Sequence, residues 1–279
     1  MWVEIMSCKK YSILMSVYYK ERPEWLKMSI DSMLSQTIIA DEFLIVKDGP
    51  LTPELDDILN EYSNKYPELF NIIELEENVG LGPALAVGIS NCSNELIARM
   101  DSDDYSIPER CELQLKVFEE NPQLSAVGSY EIEFEGSLDN VVSTHRVPET
   151  SVEISDFMRR RCALLHPTVM YKKSAIVACG NYRDVRLYED YDLFMRLVIQ
   201  NKANCYNIQK GLYYIRINDN FFKRRGGWSY MKTVVSFKKK QYHNGYMSWR
   251  DFVISAGGQT LVCLLPNSVR KWVYLNLLR

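Results

Sequence analysis

The chain has 279 residues, 47% of them hydrophobic and 25% charged, with a formal net charge of −3. That apolar content excludes a disordered chain, and the length suits one large α/β domain with an appendage or two small domains. Seven cysteines, an odd number with no C-x-x-C pair, exclude a disulfide framework and fit a reducing cytosol; the three histidines show no zinc-ligand spacing.

Tyr11 to Tyr18 is an apolar run of strand length, and Pro23 opens a helix whose face is Leu26, Ile30, Met33 and Leu34. Glu42 to Lys47 is a second buried strand. Thr52-Pro53 supplies the N-cap and first position of the next helix, with Leu55, Ile58, Leu59, Tyr62 and Tyr66 on one face. Strand Phe70 to Leu75, helix Pro83 to Asn91, strand Glu95 to Met100, helix Pro108 to Glu120 and strand Ser125 to Phe134 continue the alternation. Repeated βαβ units predict right-handed crossovers and a mainly parallel sheet flanked by helices, with ligands beyond the carboxyl ends of the strands.

After residue 140 the pattern loosens. A helix over Val152 to Arg161, a short strand over Thr168 to Tyr171, a helix over Tyr188 to Gln200 and strands over Asn204 to Ile217 are expected, then helices over Ser229 to His243 and Ser248 to Leu264. A soft boundary falls near residue 220, dividing a catalytic domain (1–220) from a basic, partly amphipathic helical region (221–279). Residues 201–279 hold 14 Lys and Arg against Asp219 and Asp251, a balance of +12, which leaves −15 on the first 200 residues. A basic tail behind an acidic body suits a phosphate-bearing or anionic partner; the plainer alternative is a solvated basic face. No secretory signal shows, and the late apolar run Phe252 to Leu265 is broken by Gly257, Gly258 and Gln259, short of a spanning helix.

The residues that carry chemistry cluster after the strands. Asp101-Ser102-Asp103-Asp104 directly follows an apolar strand. Acids packed this closely repel unless a cation or ligand sits among them, and hard divalent ions take oxygen ligands from few protein groups, diphosphate and water. A capped turn, with Asp103 or Ser106 capping the following helix, is the alternative. Glu189-Asp190-Tyr191-Asp192 opens a helix; one acid there serves the helix end, but three acids in four positions exceed that need, and Asp190 and Glu189 are candidate general bases. His166-Pro167-Thr168 holds a lone histidine, more often structural than catalytic. Lys223-Arg224-Arg225-Gly226-Gly227 is either a phosphate-wrapping loop or a solvated turn.

With these motifs in this order, the chain resembles family 2 glycosyltransferases of the GT-A fold, over about residues 10–225. Val46-Lys47-Asp48-Gly49 looks like the family's nucleobase-holding segment, Asn78-Val79-Gly80-Leu81-Gly82 like its nucleotide loop, Asp101-Ser102-Asp103-Asp104 like its metal and diphosphate motif, and Glu189-Asp190 like its catalytic-base motif; His166-Pro167-Thr168 matches a stretch common upstream of that base. Within the family, the resemblance is to transferases of bacterial exopolysaccharide and O-antigen repeat units, amylovoran-type enzymes included. Lys47 where the family often has an aspartate, and Leu85-Ala86 where it often has Arg-Asn, depart from the pattern and put the base and ribose contacts in doubt. Neither a Q-x-x-R-W motif nor transmembrane helices are visible, which favours single-sugar transfer.

The resemblance implies inversion at the anomeric carbon, a UDP-hexose donor, a lipid-diphosphate-linked sugar acceptor and Mn²⁺ or Mg²⁺ as cofactor. It implies Asp190 (or Glu189) as base and Asp101 and Asp103 as metal ligands. Tyr18, Glu21, Asp48, Asn78, Gly80, Arg99, Asp101, Ser102, Asp103, Arg224 and Arg225 fall on the donor, His166 and Asp104 on the acceptor side. Lysine and arginine beside Trp228, Trp249, Phe252, Leu261, Val262, Trp272 and Leu275 suit helices lying in an anionic membrane interface. With a lipid-linked acceptor this gives a cytoplasmic protein peripheral on the inner face of the membrane, with no nucleic-acid partner. The alternative is that these helices pack on the main domain with their aromatic residues in its core. Two other classes compete. A non-catalytic nucleotide-sugar or glycan-binding subunit has no need of Asp190 together with Asp101 and Asp103. A sugar-nucleotide pyrophosphorylase carries a glycine-rich loop where this chain reads Tyr18-Tyr19-Lys20-Glu21-Arg22-Pro23.

Overall fold

A computed structural model describes residues 10–217, 221 and 223–277. Apolar runs become parallel strands: β1 (Tyr11–Val17), β2 (Glu42–Lys47), β3 (Phe70–Glu74) and β4 (Leu96–Met100) lie side by side in the order β3-β2-β1-β4, with β1, β2 and β4 buried and the edge strand β3 half-exposed. Helices α1 (Pro23–Leu34), α2 (Pro53–Lys65) and α3 (Leu81–Asn91) connect them. Chain progression reverses between β1 and β4, and a crevice at the carboxyl ends of those strands is the natural ligand position.

Beyond β4 the sheet becomes mixed. A two-residue strand β5 (Tyr105–Ser106) precedes α4 (Arg110–Glu120), β6 (Ala126–Phe134) and β7 (Val141–His145). Then follow α5 (Ser151–Met158), a 3₁₀ turn at His166–Thr168, β8 (Met170–Lys172), α6 (Lys173–Ala178), α7 (Glu189–Met195), which runs into a π-helical stretch Arg196–Gln200, and β9 (Cys205–Arg216). The full order is β3-β2-β1-β4-β8-β6-β9-β5, with β7 on β6. β6–β9 is parallel, whereas β4–β8, β6–β8, β6–β7 and β5–β9 are antiparallel.

The pleat sends alternate side chains to two cores. Ile13, Met15 and Val17 of β1 join α1, α2 and α4 on one face, while Leu14 joins α3, α5 and α7 on the other. The remaining helices, α8 (Gly227–His243), α9 (Trp249–Leu264) and α10 (Asn267–Leu277), lie over the α5–α7 side. Phe237 of α8 stacks on Tyr188 at 4.2 Å between centroids, and Asp251 of α9 pairs with Arg160 at 2.6 Å. Val234, Phe237, Met247 and Cys263 are buried in this packing, yet Trp228, Trp249, Leu261 and Trp272 stay exposed. No described helix is long and apolar enough to cross a membrane.

Candidate active site

At the end of β2, Asp48 is buried and its carboxylate closes on the loop before α3. Oδ1 accepts the Val79 N–H at 2.7 Å; Oδ2 accepts the Gly80 N–H at 3.1 Å and the Asn78 side-chain amide at 3.0 Å. Gly49 makes this approach possible: its φ is +81°, and a Cβ there would lie 2.6 Å from the Asn78 nitrogen. Asp48, Asn78 and Gly80 thus come together, as the sequence implied. Lys47, the departure from the family pattern, is used structurally, with Nζ 2.7 Å from both Asp56 and Glu74.

Beside it, across the β1–β4 switch, the acidic run leaves β4. Arg99 is buried and pairs with Asp101, whose backbone N–H donates to the Tyr213 hydroxyl at 3.1 Å. Ser102 donates to Glu21, which arrives from the end of β1. Burial, with repulsion from Asp101 and Glu21, raises the Asp103 carboxyl to about 7, and burial also raises Glu21. Acids held at this energetic disadvantage are poised for a cation. Among the described residues no three His, Cys, Asp or Glu side chains form a metal cluster. One Asp101 oxygen is already satisfied by Arg99, so the donor set fits an ion held by one or two carboxylates that completes its shell with diphosphate and water. Neither Asp103 nor Ser106 caps α4; Glu109 holds that position. Asp104, which the resemblance sets on the acceptor side, is turned inward. It is buried and accepts the Arg216 backbone N–H at 2.7 Å, tying the motif to the end of β9.

Of the second group of acids only Asp190 faces a separate cleft, of about 600 Å³, between α7 and the C-terminal helices. Asp190, His166 and Arg225 line it. Burial raises the Asp190 carboxyl to about 6, against the Tyr191 N–H donated to Oδ1 at 2.7 Å and the positive field of Arg99. A carboxyl near 6 at the wall of a cleft is suited to accept a proton near neutral pH. Arg99, paired with Asp101 and acting on Asp190, links the two groups electrostatically. Glu189 does not line the cleft; its side chain lies against Gly82 at the start of α3. His166 is buried, held below its ordinary pKa by burial and Arg99, and bonded through Nε2 to the Tyr182 hydroxyl at 2.7 Å. It is a neutral part of the wall.

The basic loop divides. Burial and the Glu21 carboxylate raise the Tyr18 phenol and Arg224 opposes that shift, so Arg224 lies near Tyr18. Arg225 stacks over Phe221, 3.6 Å from its centroid, in the cleft wall. Sequence reasoning missed Arg160, Arg161 and Lys238, which also line the cleft, and Arg216, whose guanidinium donates to the Asp103 carbonyl at 3.1 Å. The sequence signals for them were the run Arg159-Arg160-Arg161 and, for Lys238 and Arg216, the basic composition after residue 200.

The model for "Glycosyl transferase family 2" matches residues 12–182. An E. coli protein named UDP-Gal:alpha-D-GlcNAc-diphosphoundecaprenol beta-1,3-galactosyltransferase is 34% identical over 97% of this chain and 97% of its own length. The amylovoran biosynthesis glycosyltransferase AmsE of Erwinia amylovora is 30% identical over 95% of this chain and 97% of its own. Among solved structures, a Pyrobaculum calidifontis mannosyltransferase in complex with GDP-Man and Mn²⁺ superposes with a TM-score of 0.64 at 13% identity, covering 94% of this chain and 71% of that one. S. aureus TarS 1–349 in complex with UDP-GlcNAc gives 0.61 at 16% identity, covering 95% and 70%. The α/β architecture is therefore the GT-A fold expected from the motifs, and the chain belongs to glycosyltransferase family 2.

Proposed function

We propose that this transferase moves a single hexose from a UDP-sugar onto a hydroxyl of a lipid-diphosphate-linked sugar, with inversion, in assembly of a bacterial surface polysaccharide. The observation that carries this reading is the separation of two acidic groups: Asp101 and Asp103 at the strand edge with the nucleotide loop, and Asp190 in its own cleft, joined through Arg99. A donor diphosphate belongs at the first and an acceptor hydroxyl at the second. The names of the E. coli and Erwinia relatives support the donor, acceptor and pathway class.

In this mechanism Tyr18, Glu21, Asp48, Asn78, Gly80 and Ser102 shape the donor edge. Asp190 takes the proton of the attacking hydroxyl as the new bond to the anomeric carbon forms. The bond from that carbon to the diphosphate oxygen breaks on the opposite side, and Arg224 faces the negative charge left on the diphosphate. Asp103, with Asp101, would hold a divalent ion, which when bound supplies positive charge against the leaving diphosphate. A non-catalytic binding subunit gains nothing from a buried acid raised to about 6 at the acceptor cleft.

The outer face of residues 221–279 supports peripheral attachment to the inner face of the cytoplasmic membrane. Trp228, Trp249, Leu261 and Trp272 are exposed there, in a region with 11 Lys and Arg against Asp251, a +10 balance. Apolar rings beside lysine and arginine suit an anionic interface. Residues 1–220 accordingly carry most of the catalytic groups, and residues 221–279 combine attachment with Arg224 and one wall of the cleft.

The test is transfer from a panel of nucleotide sugars to a soluble diphosphate-linked N-acetylglucosamine, with product mass and anomeric configuration read by mass spectrometry and NMR. One added hexose with inverted configuration is expected, lost in chelator and restored by Mn²⁺ or Mg²⁺. Asp103→Asn should lose metal-dependent UDP binding as well. Full turnover in excess chelator would remove the metal assignment, and absence of transfer from every donor would remove the function.

A further inference from the structure

Lys238 of α8 is 1% exposed and lines the acceptor cleft. Its Nζ donates to the Arg160 carbonyl at 2.7 Å and the Tyr191 hydroxyl at 3.3 Å, and sits 4.6 Å from the Tyr191 ring centroid. Both oxygens belong to neutral groups, and among the described residues Lys238 forms no ion pair with a carboxylate. An ammonium taken from water without an anion is costly, and burial pushes this amine down to about 7. An apolar side chain of the same length would stabilise this position better. Arg161, from the turn after α5, lines the same cleft. The cleft therefore holds Lys238 and Arg161 beside the acids Glu131 and Asp190.

The opposite wall adds an independent observation. Gly258 lies in the middle of α9 and lines the cleft, and a Cβ built there meets nothing within 4 Å. Glycine is a poor helix former, and no packed neighbour here requires it. Its effect is to keep space open. Leu187 and Ile254, both exposed apolar residues, also line the cleft, so it opens on an apolar rim.

We propose that Lys238, with Arg161, binds the diphosphate of the acceptor, and that the gap at Gly258 beside Ile254 seats the first apolar segment attached to that diphosphate. The subsite rests on the reading of the cleft as the acceptor site. It joins Lys238 of α8 and Gly258 of α9, outside the segment that matches the family model, to Arg161 inside it.

The test measures binding of decyl diphosphate and of decanol to the full chain by calorimetry, and transfer to the same sugar carried on decyl diphosphate or as a neutral decyl glycoside. Decyl diphosphate should bind the unaltered protein at least about tenfold more tightly than decanol, as charge-assisted contacts require. It should compete with the acceptor and not with the donor. Lys238→Met should abolish that preference and raise KM about tenfold for the diphosphate acceptor alone. KM for the donor and for the neutral acceptor should stay within about twofold, and Lys238→Arg should recover part of the loss. Equal binding of decyl diphosphate and decanol by the unaltered protein would overturn the subsite, whether or not Lys238→Met folds. So would an equal KM rise for both acceptors, which marks a packing role, or a rise confined to the donor, which marks contact with the donor diphosphate. Absence of transfer by the unaltered protein would count against the proposed function alone, because the binding comparison still reads the subsite.

Discussion

A lysine buried in a run of three shows what a single residue position hides from sequence. Lys238, Lys239 and Lys240 read as a solvated basic stretch, yet only Lys238 turns inward, because α8 packs its Val234, Phe237 and Gln241 face against the domain. The acids were more legible. Asp101 and Asp103 directly follow a strand of apolar residues, and strand ends are where such sheets bind ligands. Asp104 shows the limit of that reasoning: its neighbours face the donor edge, while its own side chain is committed to the Arg216 N–H. Asp190 allows a pH prediction. Burial raises its carboxyl to about 6, and a base works only when ionised, so turnover should fall below about pH 6, roughly tenfold per unit. A profile of kcat between pH 4.5 and 8 checks this; a flat profile across that range would contradict it.

At the scale of elements, the alternation of buried strands and helices from Tyr11 to Phe134 was readable because each strand is a continuous apolar run and each helix has an apolar face. The antiparallel additions were less so. β7 is half-exposed and short, although it pairs with the strand just before it, and α6 has only six residues, so neither carries a long apolar pattern. Tyr188 to Gln200 reads as one helix, but it begins α-helical and changes to a π-helical stretch, where Arg196 pairs with Asp192 at 2.9 Å. The joint between β2 and α3 gives the sharpest test. Gly49→Ala forces a side chain into the Asn78 backbone at positive φ, at a cost of about 1–3 kcal/mol. The variant should show a lower urea midpoint and weaker UDP binding together. A wild-type affinity in a folded Gly49→Ala protein would show that the Asp48 clamp does not shape the nucleotide loop.

Across the whole molecule, charge and exposed apolar side chains gather at one end. The first 200 residues carry a −15 balance and residues 201–279 carry +12. Exposed Trp249 and Leu261 on α9 and Trp272 on α10 share that end with the acceptor cleft, which α9 and α10 help to line. Composition alone announced the basic end; that Val234, Phe237 and Cys263 pack while Trp228, Trp249 and Trp272 remain outside follows from how three helices meet. Flotation with anionic liposomes should carry the full chain at low salt and release much of it at high salt. Trp249→Ser combined with Trp272→Ser should reduce binding at both salt levels. Flotation insensitive to salt and to both substitutions would place attachment elsewhere.

The account as a whole depends on one acid acting on the acceptor while a separate group of acids serves the donor. Donor affinity and turnover measured side by side for Asp190→Asn and Glu189→Gln address that division directly. Asp190→Asn is expected to bind UDP-sugar within about twofold of the unaltered protein while kcat falls about 100-fold or more, as loss of a general base requires. Glu189→Gln, altered beside Gly82 and outside the cleft, is expected to retain most of its turnover. An active Asp190→Asn beside an inactive Glu189→Gln would contradict the assignment, and loss of donor binding in Asp190→Asn would contradict the separation of the two sites.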